Sequence, residues 1–245
     1  MSGPAQDLSA ERRFWGGPSG DAVRDGRTPG DRTPAKGNGM VKILAAVFFM
    51  GVVAAPANAH DMRQPIPILL DRMYGVLLLL ERGKTDEAIY LIGTVEELLQ
   101  VKGLLGLTQT AAKLDQAYRT AVADELGAAL AARDAARLKS VIYSLTYLLL
   151  FEKLDQLTAM LSDRDVKPET RKVVMDLARD YFSHIFEETF GRRRPAQIKA
   201  VEQILDRMDG AVRQQAAPQF ELLRRQLSRV LLSHFAAELL PGLPG

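Results

Sequence analysis

The chain has 245 residues, 47% of them hydrophobic, with 32 basic and 30 acidic side chains and no cysteine. Without cysteine it can hold no disulfide framework, no thiolate metal site and no c-type haem attachment, so packing alone must stabilise it. From His60 onward basic and acidic residues balance at 25 each, which removes the basic face that nucleic-acid binding needs.

Residues 1–39 are rich in Gly, Pro, Arg and Asp, carry the only tryptophan (Trp15) and show no apolar periodicity. They read as a disordered tail or an upstream extension from a misassigned start, not as part of a core. Residues 40–59, MVKILAAVFFMGVVAAPANA, have the layout of a secretory signal peptide. Lys42 supplies the positive n-region, Ile43 to Ala55 the apolar h-region, and Ala57-Asn58-Ala59 the small-x-small cleavage site. The apolar run of 13 residues falls short of the roughly 20 that span a bilayer. The expectation is a periplasmic or otherwise exported chain, cleaved before His60, with no transmembrane helix in the mature part. Residues 60–245 then form one domain. His60 would begin it, offering an amine and an imidazole to copper.

Beyond His60 the periodicity is helical throughout. Ile68 to Arg82 reads as an apolar helix closed by Gly83. Thr85 opens the next, with the stripe Ala88, Leu91, Ile92, Val95, Leu99. Lys102 to Thr110 reads as a loop, Ala111 to Ala132 as a third helix and Asp134 to Leu161 as a fourth. Val141 to Phe151 is apolar on nearly every side, which places the fourth helix at the centre and makes Leu145, Leu148 and Leu149 core residues. Pro168, Pro195 and Pro218 start helices reaching Gly191, Gln215 and Leu240. The expected fold is all-α, a compact bundle of about six or seven helices arranged as αα-hairpins. Polar turns recur at 77–92, 126–142 and 186–204, but their uneven spacing argues against a strict repeat.

Ionisable residues that interrupt apolar stripes are candidate sites. Glu152 follows Leu145, Leu148 and Leu149 on the central helix, and Glu125 follows Tyr118 and Ala121. Buried carboxylates must be paired, protonated or metal-bound, and Tyr118, Tyr143, Tyr147 and Tyr181 are available partners. His184, Glu187 and Glu188 on the fifth helix, with His234 and Glu238 on the seventh, form a candidate ligand set for iron, copper or zinc. Neither histidine has the Glu three residues earlier that a di-iron bundle uses. Arg192 to Arg194 reads as a solvated loop. No G-x-S-x-G, Gly-rich phosphate loop or H-E-x-x-H occurs, so catalysis is not expected.

The hairpin LLDRMYGVLLLLERGKTDEAIYLIGTVEELL at 69–99 and the segment ARDYFSHIFEETFGRRRPAQIKAVEQILDRM at 178–208 resemble the helical periplasmic region of bacterial oxidase-linked iron permeases. The resemblance matches that region's Phe-Glu pair to Phe186 and Glu187, and its next hairpin Glu to Glu202. The acidic residues such regions place beside the Tyr of the second helix are missing at Tyr90, and the permease helices have no counterpart. The resemblance implies an accessory protein in metal, specifically iron, handling, with a protein partner in the periplasm or inner membrane. Two other functions fit the residues: a helical-hairpin interaction scaffold without a ligand, and a carboxylate-bridged metalloenzyme. Converging His and Glu sets would favour a metal site. An exposed apolar groove with scattered charges would favour the scaffold.

Overall fold

The computed structural model describes residues 67–245. Residues 1–39, the expected signal segment 40–59 and His60 lie outside the described residues.

The described residues are all-α: α1 (Ile68–Glu81), α2 (Thr85–Val101), α3 (Leu107–Tyr118), α4 (Val122–Ala132), α5 (Ala135–Ser162), α6 (Pro168–Tyr181), a π-helical turn (Phe182–Glu187) running into the short α7 (Glu188–Phe190), α8 (Pro195–Arg213) and α9 (Ala217–His234). Among them no strand occurs, and no helix is long and apolar enough to cross a membrane. α1 pairs with α2, α4 and α6 pack on α5, and α8 pairs with α9.

α5 is the axis of the bundle. Asp134 caps it by accepting the Arg137 N–H at 3.0 Å. Every residue from Val141 to Phe151 is buried, as the unbroken apolar run requires. Leu145 and Leu148 are fully buried and Leu149 nearly so. Each such leucine contributes about 1.5 to 3 kcal/mol by leaving water.

α1 and α2 end alike. Gly83 and Gly103 have φ of +73° and +67°, and the residue after each donates back to the helix, Lys84 to Leu79 O and Leu104 to Leu99 O. This left-handed stop closes off the last carbonyls, and glycine adopts its positive φ without steric cost.

Three boundaries differ from the sequence reading. The stretch 111–132 is two helices, because Arg119 turns left-handed (φ 57°) and Asp115 caps α4. Its carboxylate accepts the N–H groups of Val122 and Ala123, both at 2.8 Å. α3 also begins earlier, at Leu107, shortening the expected loop. The last helix stops at His234 instead of reaching Leu240. Residues 235–244 fold back along α5, where Leu240 N–H donates to Ser144 Oγ at 2.9 Å and Tyr147 donates to Pro244 O. Phe235 and Leu239 are buried by this return.

Candidate functional site

The expected metal set does not converge. His184 lies in the π turn with its ring 5.0 Å from that of Tyr74 on α1, and its Nε2 is buried without a hydrogen-bond partner among the described residues. Phe186, two residues on, turns to the other flank and meets Phe235 at 5.0 Å. His184 therefore faces α1, while His234 stands beside Phe235 at the end of α9. Glu238 is in the return segment, so it is not one helical turn from His234. Arg194 holds its carboxylate through both Nη1 (3.1 Å) and Nη2 (2.5 Å), and Nη1 also donates to His234 O at 2.9 Å. Among the described residues no three His, Asp or Glu side chains gather where one metal ion could bind.

Arg194 departs from the expectation of a solvated loop, since its side chain is only 31% exposed and is held by the fold, while Arg192 and Arg193 stay exposed. Its guanidinium stacks over Phe190 and Phe235, 5.2 and 5.8 Å from the ring centres. Arg193 pairs with Glu81 at 3.1 Å. This part of the arginine run pins the return segment, and an apolar stacking surface at Phe190 in the same turn was its one sequence signal.

Glu125 is not a core carboxylate. Its side chain is 33% exposed and bonds Arg137 at 2.5 Å, which holds its carboxyl below the usual range. The restart of the helix at Val122 changes its phase relative to Tyr118, so the expected shared face does not exist. Tyr118 instead donates to Asp155 at 2.7 Å.

Glu152 is a real half-buried carboxylate. It pairs with Lys113 of α3 and lies 3.4 Å from Lys153. Burial alone would raise its carboxyl, but the two ammonium groups hold it below the ordinary value. Glu187 shifts the other way. Burial raises it, and the negative charges of Glu202 on α8 and of Glu188 add to the rise.

The largest departure from a closed surface is the outer face of α2. Tyr90, Thr94, Glu97 and Val101 recur at steps of four, three and four, which puts them on one line. Tyr90 is 74% and Val101 87% exposed, and Leu104 and Leu105 extend the apolar strip beyond the helix end. A cleft of about 470 Å³ lies beside Tyr90, between Leu79 of α1 and Leu91, with Asp86 and Glu87 at its rim. Gly93 sits on this face, and a Cβ there would meet nothing within 4 Å. A glycine inside a helix costs roughly 0.5 to 1 kcal/mol relative to alanine. The fold gives no packing reason for it, and sequence reasoning passed over it.

Comparison with protein-family models, with curated proteins and with solved structures gave no match to this chain.

Proposed function

We propose that this chain is a helical binding protein without catalysis of its own, and that it works by docking a partner protein on the outer face of α2. The observation that carries this reading is the exposed line of Tyr90 and Val101, the two most exposed large apolar side chains among the described residues, running on into Leu104 and Leu105. Large apolar side chains left exposed among charges mark an interaction surface. Asp86 and Glu87 lie near the start of the line and Glu97 within it, so the matching partner is an amphipathic helix with apolar anchors and Lys or Arg beside them. A bare helix face at Gly93 lets such a helix approach closely. The signal-like segment 40–59 directs the search to the periplasm and to proteins of the inner membrane.

Two alanine substitutions separate docking from folding. Gly93→Ala and Gly127→Ala both fill open space on exposed helix faces, and each should stabilise the isolated chain by roughly 0.5 to 1 kcal/mol. Only Gly93→Ala should weaken photo-crosslinking of a partner from position 101, with Tyr90→Glu abolishing it. Equal crosslinking from position 101 in the otherwise wild-type, Gly93→Ala and Tyr90→Glu chains would end the docking reading.

A second reading, an accessory in metal or iron handling, is favoured by Glu187, whose carboxyl is raised by burial and by the negative charges of Glu202 and Glu188. A cation bound at Glu187 would offset both the burial and the repulsion. On this reading Glu187→Gln removes binding of Fe²⁺ or Mn²⁺ in calorimetry. On the docking reading the wild-type chain shows no saturable heat with either ion.

A further inference from the structure

A separate groove of about 390 Å³ opens between the start of α1, the α2–α3 loop and the middle of α5. Its walls are aliphatic, with Ile68, Leu69, Leu104 and Leu149 prominent. Part of the backbone along its α2–α3 wall is already satisfied: Leu104 N–H donates to Leu99 O and Thr110 N–H to Gly106 O. A peptide main chain would have to compete for these groups, whereas an alkyl chain needs none of them. One end of the groove is different. Lys113, Lys153 and Glu152 line it together with Tyr181, and both lysines share the single Glu152 carboxylate.

The charge count decides what fits. Among the residues that line the groove, two ammonium groups face one carboxylate, so the lining carries one positive charge in excess; Asp180, whose charge reaches Tyr181, is not among the lining residues. A bound carboxylate restores balance, while a bound cation would double the excess at a partly desolvated site. Burial, with the charges of Glu152 and Asp180, pushes the Tyr181 hydroxyl up to about 12, so at neutral pH it remains a proton donor. An apolar cavity of this size with a few polar groups at one end has the make-up of a small-ligand site. We propose that the groove binds an amphipathic monocarboxylate, its alkyl chain among the leucines and its carboxylate between Lys113 and Lys153. The groove shares Leu104 and Leu105 with the far end of the α2 strip, but its charged end at Lys113, Glu152 and Lys153 lies on other helices, and the proposal does not depend on docking there.

The test is calorimetric titration of the full chain with sodium octanoate, 1-octanol and octylamine. Octanoate should bind at least about tenfold more tightly than 1-octanol, the scale of one charge-assisted hydrogen bond, with octylamine weakest. Lys153→Met leaves the Lys113 to Glu152 pair in place, and should erase the octanoate advantage with the octanol affinity and the circular dichroism unchanged. Leu105→Trp, at a position 47% exposed and so tolerant of a larger ring, should narrow the mouth and weaken octanoate and octanol alike. The proposal is overturned by equal affinity for octanoate and octanol, by tighter binding of octylamine, or by an octanoate preference that survives in Lys153→Met. It is equally overturned if no ligand gives saturable heat, or if a short peptide ending in a free leucine carboxylate outbinds octanoate.

Discussion

Leu148→Ala is expected to destabilise the chain by about 2 to 5 kcal/mol, the range for deleting a fully buried leucine from a core that cannot collapse onto the gap. Leu148 has no exposed surface and lies midway along the stretch of α5 that is buried on every side. α4, α6 and α9 all pack on α5, so relaxation would have to move several helices together. Urea denaturation followed by circular dichroism reads the loss as a lower midpoint at unchanged slope. A midpoint equal to that of the wild type would mean that α5 is peripheral and that this account of the core is wrong.

Arg194→Ala should cost about 2 to 3 kcal/mol, less than a fully buried pair would because the Arg194 side chain remains 31% exposed. The substitution removes a two-pronged hold on Glu238, the bond to His234 O and two stacking contacts in one step. It also strands Glu238, whose side chain is only 17% exposed. Arg194→Lys should recover little, since an ammonium cannot bridge both carboxylate oxygens in a plane or stack on the rings. Limited proteolysis gives an independent readout, with cleavage appearing first between 235 and 244. Wild-type protease resistance in Arg194→Ala would show that other contacts hold that segment.

What could be read from the sequence was what a continuous signal carries. The apolar run of Val141 to Phe151 placed α5, and the prolines at 168, 195 and 218 marked helix starts within a residue of where they fall. Glycines 83 and 103 marked two ends. The errors came where a helix ends without its usual residue. Arg119 adopts a glycine-like conformation, and the cap of α4 comes from Asp115, inside the preceding helix, so the 118–122 break left no local trace. The π turn adds a residue to a helical turn with no compositional cue and resets the phase after Tyr181. That shift, with the early stop of α9, undid the expected gathering of His184, Glu188, His234 and Glu238. The carboxylate of Glu152 was legible as an anomaly. Its partner Lys113 was not, because 39 residues separate them and only the packing of α3 on α5 brings them together.

The return segment has a temporal meaning as well as a spatial one. Tyr147 and Ser144 of the central helix find partners at Pro244 and Leu240, about a hundred residues later in the chain. A polypeptide that emerges amino end first, from a ribosome or through a translocation pore, therefore presents its axis long before the piece that seals it. Closure of this bundle waits until residues 235–244 have emerged.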